Sequence, residues 1–325
     1  MRVNRVYIIA NFGGPRNLNE VEEFLVALLT DDEVIRTSFP AWLQKRIFAW
    51  VAKRRAKRVV HDYAIIGGAS PIFADTESMV HCLQERLNCP ILAFHRYLPK
   101  THGEFLRQLD ALSPAEIDVF PLYPQFSYTT TGSSAKWIRQ HVPQRLLEQL
   151  RWIRSYPNYA GYIEIFAQQI HKALSAFGMN EEKSFLLFSA HGLPKRFVLE
   201  GDPYEQECKQ TFSALANRFP RAKSILCFQS KFGRKEWLSP ATQEICGQLR
   251  AGERRHVLLI PLSFTSDHLE TLFEMEQLYL PLLRKRGFHA MRCPALHKHP
   301  EWMGVVAKML ECLERVPTEE LMRPR

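Results

Sequence analysis

The sequence predicts an α/β protein of two similar doubly wound domains, each with a four-stranded parallel sheet flanked by helices. Short apolar runs recur at intervals long enough for an intervening helix, the pattern of parallel strands buried on both faces. The runs fall into two sets of four, and the first of each set ends in a glycine and proline turn: Asn11-Phe12-Gly13-Gly14-Pro15 in one, His191-Gly192-Leu193-Pro194 in the other. A length of 325 residues suits two domains at ~150 residues each, and a hydrophobic content of 46% can fill two cores. The expected bounds are 1–151 for the first domain and 152–300 for the second, with an amphipathic helix over 301–315 packing back on the first.

In chain order, Val6 to Ala10 (VYIIA) is the first strand. A helix follows it, with Phe24, Leu25, Leu28 and Leu29 on one face and an acidic stop at Asp31-Asp32. From Trp42 to Arg58, Trp42, Leu43, Ile47, Phe48 and Val51 keep helical spacing on one side while bases occupy the other. Pro90 to Phe94, Ile117 to Pro121 and Leu150 to Ser155 complete the first set of strands. Phe185 to Phe188, Ser224 to Phe228, Val257 to Pro261 and His289 to Cys293 make the second.

The run Phe185-Leu186-Leu187-Phe188 leads to His191 just past its carboxyl end, the edge of an open parallel sheet where loops converge and ligands bind. A second stretch follows the strand His256 to Pro261. There Ser263 to Glu270 enters a helix whose acids recur as Asp267, Glu270 and Glu274, spacings of three and four that put them on one helical face. A capping box, with Asp267 as cap and Glu270 three positions on, explains two of these acids. It leaves Glu274 and a histidine in the first turn, His268, unexplained. Acids facing a histidine suit proton transfer or cation handling.

Several motifs, in order, resemble those of ferrochelatase. They are Asn11-Phe12-Gly13-Gly14-Pro15, Gly67-Gly68-Ala69-Ser70-Pro71-Ile72, and Pro121 to Ser127 with Thr130-Thr131-Gly132-Ser133. The second half adds Ser189 to Pro194, Gly201-Asp202-Pro203-Tyr204, Phe228-Gln229-Ser230-Lys231 with Trp237-Leu238, and Ser266 to Leu272. The resemblance implies insertion of Fe(II) into a porphyrin, with protoporphyrin IX the expected substrate and coproporphyrin III the alternative that the sequence leaves open, and with the macrocycle held bent in a cleft between the lobes. Two pyrrole protons must leave as the metal enters, so a base is required. His191 is expected as proton acceptor or iron ligand, and Glu270 as iron ligand or proton relay, with Asp267 and Glu274 extending the relay. By motif position, Asn11, Phe12, Ile72, Arg96, Tyr97, Phe126, Ser127, Leu193 and Trp237 are the candidates for holding the porphyrin. Three positions depart from the family pattern. His95 stands before Arg96-Tyr97 where methionine is usual, Phe126 where tyrosine is commoner, and Ala69 where glycine is commoner.

Seven scattered cysteines with no Cys-x-x-Cys pair argue against a zinc site or a disulfide framework. Some relatives carry an iron-sulfur cluster on cysteines near the C-terminus. Only Cys293 and Cys312 lie there in this chain, so neither a cluster nor any other permanent cofactor is expected, and iron enters as substrate. The net charge of +9 is concentrated in Lys45, Arg46, Lys53, Arg54, Arg55, Lys57 and Arg58. Such a patch fits peripheral contact of 42–58 with an anionic membrane, or an acidic ligand, at least as well as nucleic acid, the alternative being that the apolar face of this helix packs on its own domain. No apolar run approaches the ~20 residues of a spanning helix, and Met1-Arg2-Val3-Asn4-Arg5 leads straight into a strand. The expectation is a cytoplasmic monomer, with a cobalt or nickel chelatase, or a basic anion-binding module without chemistry, as the competing readings.

Overall fold

A computed structural model describes residues 3–231 and 236–324; the expectation about the first two residues lies outside them. The chain divides into two compact units. One runs to Ser155 and resumes at Met303, and the other is Tyr156–Trp302.

The first unit is built on five strands: β1 (Arg5–Asn11), β2 (Ile91–His95), β3 (Glu116–Pro121), β4 (Leu150–Trp152) and a late one, Val316–Pro317, which becomes β9. Their order is β2-β1-β3-β4-β9, parallel except for the last pair. The apolar runs thus sit where their composition places them, buried on both faces. The fifth strand is a finding that spacing did not predict. Its two residues lie antiparallel to Arg151 and Trp152 and close the sheet edge. Trp152 donates its indole N–H to the Thr318 hydroxyl at 3.2 Å, Leu321 joins the core around Val119 and Trp152, and Arg315 reaches Asp118 at 3.4 Å. These contacts hold the end of the chain on the first unit.

The second unit carries β5 (Ser184–His191), β6 (Lys223–Gln229), β7 (His256–Pro261) and β8 (His289–Arg292), all parallel in the order β6-β5-β7-β8. Both sheets therefore reverse strand order between their first and third strands in sequence. In the second sheet that point lies between β5 and β7, and a crevice outside the carboxyl ends at such a reversal is the usual ligand position.

Two helices differ from the sequence reading. The basic one is longer, Ala41–Ile65, and its buried side is Gln44, Ala52, Ala56, Val59 and Tyr63, not the side headed by Trp42. The acidic one is π-helical over Glu270–Tyr279 and becomes α-helical only at Leu280–Lys285. Bonds from i to i+5 change which residues share a face. Such segments are rare, and they frequently mark functional sites.

Candidate active site

His191 is the last residue of β5, not one beyond it, and pairs in register with Gln229 at the end of β6. A side chain at Gly192 is excluded, because a Cβ there would lie 2.6 Å from the Gln229 carbonyl oxygen and 3.2 Å from the Trp237 ring. The glycine lets β5 turn against β6, with the Gly192 N–H donating to that carbonyl at 2.8 Å. Leu193 and Trp237 stand beside this turn, Leu193 buried and Trp237 half-buried, and the Leu238 N–H donates to the Leu193 carbonyl at 2.9 Å.

From the end of β7 the chain brings Phe264, His268 and Glu270 toward the same edge. The Phe264 ring lies edge-on to His191 at 6.1 Å between centroids and against His268 at 4.0 Å. His268 Nε2 is 3.0 Å from a Glu270 carboxylate oxygen, an ion-pair distance without the alignment of an N–H···O hydrogen bond. Withdrawal from water would raise the Glu270 pKa, but His268, and to a lesser degree His191, outweigh it and hold the carboxyl below its usual range. His268 moves the other way: Glu270 raises it against the cost of burial. The pair is thus stabilised in its charged form. His191 is lowered, chiefly by desolvation, with Glu270 opposing and His268 assisting. It stands neutral beside an ionised carboxylate. Glu270 keeps 25% of its side chain exposed against 9% for His268, so it is the more open of the two to an incoming cation.

Glu274 lies one step along the π-helix. Its carboxylate accepts from the Ser230 hydroxyl at 2.6 Å and from the Gln229 amide at 3.3 Å. Burial, then the charge of Glu270, raise its pKa to about 7, the range in which a carboxyl group can pass a proton on at neutral pH. It also lines a cavity of about 850 Å³ together with Gln229, Ser230, Lys231, Glu244 and Tyr279.

Asp267 does not join this face. It precedes the helix, and its carboxylate takes Arg292 at 2.7 Å, Lys298 at 3.2 Å and the Thr271 hydroxyl at 3.0 Å. These cations, working against burial, lower its pKa. The three-carboxylate ladder is therefore broken at its first member, and the capping box is absent too, since the helix entry carries no side-chain cap and Glu270 faces His268. His268, Gln229 and Ser230 are the residues that the candidate set missed. His268 stood out in the sequence as a histidine unexplained by capping; Gln229 and Ser230 lay within the motif Phe228-Gln229-Ser230-Lys231, and their contacts to Glu274 become visible only through the β5 to β6 register.

Asn11 donates its amide to Thr76 Oγ1 at 2.8 Å and is buried at the end of β1. Phe12 packs edge-on to Phe24 and Tyr97, at 5.9 and 4.7 Å. Gly14 abuts Ser70 and Ile72 so closely that a Cβ would lie 2.6 Å from Ser70, which brings two of the glycine-rich motifs together. Arg96 donates to Asp31 at 2.7 Å and Tyr97 donates to the same carboxylate oxygen at 2.8 Å, with Ser133 completing the cluster. Phe126 is a member of the hydrophobic core, and buried Ser127 accepts the Thr129 N–H. Ile72, Tyr97, Phe126 and Ser127 are thus occupied by packing or internal hydrogen bonds. His95, the departure from the pattern, is buried, with Nε2 2.9 Å from Glu77 and its ring against Phe73 at 4.7 Å.

Among the described residues no three His, Cys, Asp or Glu side chains converge as a ready-made metal site. A family model, Ferrochelatase, matches residues 7–312. The chain belongs to the ferrochelatase family. It is 40% identical over 317 residues to the ferrochelatase of Chlamydia abortus, covering 98% of each chain. To that of Chlamydia felis it is 40% identical over 319 residues, covering 98% of this chain and 99% of the relative. Among solved structures the fold is similar to SirB from Bacillus subtilis with Fe3+, at a TM-score of 0.56 and 10% identity over 95% of each chain. It is also similar to CbiX, the terminal enzyme of siroheme biosynthesis in denitrifying bacteria, at 0.52 and 15% over 95% of this chain and 98% of that one. At these identities the two structures speak for the α/β fold alone. Ferrochelatase membership carries a reaction, metal insertion into a porphyrin in heme biosynthesis, and excludes the basic module without chemistry.

Proposed function

We propose that this chain inserts ferrous iron into protoporphyrin IX with His191 as proton acceptor and Glu270 as the carboxylate that receives the iron. The observation that carries the reading is the pairing of a neutral histidine at the end of β5 with a carboxylate held ionised at the head of the π-helix. Insertion replaces two pyrrole N–H bonds with bonds to the metal and releases two protons. His191 in its neutral form can take a proton, and Glu274, poised near neutrality, can pass one outward toward the cavity that it lines. Arrival of a divalent cation at Glu270 competes with His268 for the same carboxylate, which favours loss of the His268 proton. Leu193, Phe264 and Trp237 offer apolar surface against which the macrocycle can be held out of plane. Asp267 enters as an anchor of the helix entry. The reading needs no resident cofactor, no nucleic acid and no second copy of the chain, and a cytoplasmic location is part of the proposal.

Anaerobic turnover with Fe(II) tests this directly, with protoporphyrin IX expected to be converted at a higher kcat/KM than coproporphyrin III. The reverse preference would overturn the substrate assignment.

The proposal includes peripheral contact with an anionic membrane through the basic helix. No described helix is long and apolar enough to cross a membrane. Trp42 and Trp50 on the Ala41–Ile65 helix, and Phe39 just before it, are 63%, 58% and 53% exposed, among exposed Lys45, Arg46, Lys53 and Arg54. Arg54 lies over the Trp50 ring at 4.9 Å. Indole rings beside bases suit the headgroup layer of an anionic bilayer. Flotation with phosphatidylserine vesicles is expected to carry the protein at low salt and to fail at high salt. Absence of binding at low salt would end the idea.

A further inference from the structure

Gln229 touches both halves of the site and has no place in the reaction as described. It closes β6 opposite His191, is 1% exposed, and accepts the Gly192 N–H on its backbone carbonyl. Its side chain turns the other way. The amide nitrogen donates to the backbone carbonyl of Glu270 at 3.1 Å and to the Glu274 carboxylate at 3.3 Å. Its oxygen accepts from the Ser189 hydroxyl at 2.7 Å, and that hydroxyl is 2.8 Å from the hydroxyl of Thr242. Ser189 has a single proton and gives it to Gln229, so Thr242 must be the donor in the second bond. The donors therefore run in one direction, from Thr242 through Ser189 and Gln229 to the π-helix. A flipped amide would set its oxygen against two acceptors, so the orientation is fixed from behind. The next residue, Ser230, has a left-handed φ of 64°, a turn that accompanies the delivery of its hydroxyl to the same Glu274 carboxylate.

We infer that Gln229 is a positioning residue for metal insertion, its amide locked by Ser189 and Thr242 so that it pins the first residue of the π-helix and orients the Glu274 carboxylate. The inference rests on the reading that Glu270 and Glu274 serve the reaction. Gln229 faces the helix and not the apolar surface offered to the macrocycle, so its loss acts on the chemical step and spares porphyrin binding. Ser189 acts only through Gln229, so the two residues form one unit.

The test is anaerobic Fe(II) insertion into protoporphyrin IX by the wild type, Gln229→Leu, Ser189→Ala and the double variant, with kcat expressed per folded site and the thermal midpoint measured beside it. Loss of a hydrogen bond to a charged group predicts a kcat lower by about tenfold in Gln229→Leu, with the KM for porphyrin within about twofold of wild type. Ser189→Ala should fall by about threefold, and the double variant no further than Gln229→Leu alone. A purely structural role would lower the midpoint and the folded fraction and leave kcat per folded site intact. That outcome overturns the inference, as do independent, multiplying losses in the double variant. If Gln229→Leu does not fold, an unchanged kcat in Ser189→Ala is decisive against it. A wild type that forms no metalloporphyrin would instead remove the underlying reading, a failure visible before any variant is compared.

Discussion

His191→Ala is expected to remove nearly all metal insertion while leaving the protein folded. The imidazole sits at the mouth of β5, where its neighbours are Phe264, His268 and Glu270 and where no hydrogen bond of the sheet depends on it. Removing a positioned base costs about 10² to 10⁴ in rate, and here the lost group is also the neutral partner of an ionised carboxylate. Truncation at a half-buried edge should move the thermal midpoint by only a few degrees, about what 1 kcal/mol produces in a domain of this size. The measurement is kcat by porphyrin absorbance beside a melting curve. Near-wild-type insertion would refute the central assignment, and a collapsed melting curve would recast His191 as part of the core.

The second large effect is expected at Glu270. Glutamine keeps the size and one acceptor of the side chain but can neither hold a negative charge nor take up a proton at neutral pH. Glu270→Gln should therefore cut turnover by about 10²-fold or more. Stability should fall less than when a buried arginine loses its carboxylate, because His268 can shed its proton once Glu270 no longer carries a charge. Asp267→Asn provides the contrast. Its carboxylate is held by Arg292 and Lys298, so this change takes the buried carboxylate from Arg292, which keeps Glu276, and should lower stability by about 2 kcal/mol while acting on turnover only through the helix entry. Melting and turnover of the two variants should thus separate, one failing in rate and the other in stability. Equal, small losses in both would return the whole stretch to a structural role.

The sheets were legible in the sequence because a parallel strand is a local signal: LLF and VYIIA can hardly be anything but buried on both faces. Val316 and Pro317 were not legible, since two residues have no periodicity and become a strand only beside Trp152. The placement of His191 followed from its strand. Its surroundings did not, because Gln229 and Ser230 meet Glu274 through a strand register and a helix that no local pattern specifies. The π-helix has the same origin. Spacings of three and four read as one α-helical face, whereas the helix begins only at Glu270, so Glu270 and Glu274 lie on the site and Asp267, ahead of the first turn, pairs with an arginine at the end of β8. The first-unit motifs are local runs and were legible as such. Their side chains, Phe126 in the core and Tyr97 on Asp31, show that a motif can be kept for packing as well as for contact with a ligand.

The most direct test of the proton-acceptor role is chemical rescue of His191→Ala with free imidazole during anaerobic iron insertion. If the missing group is a neutral base, added imidazole should restore part of kcat, and the restored rate should follow the concentration of the unprotonated form as pH is raised through the imidazole pKa near ~7. No restoration at any imidazole concentration, or a restored rate that ignores its protonation state, would contradict the assignment of His191 as the proton acceptor.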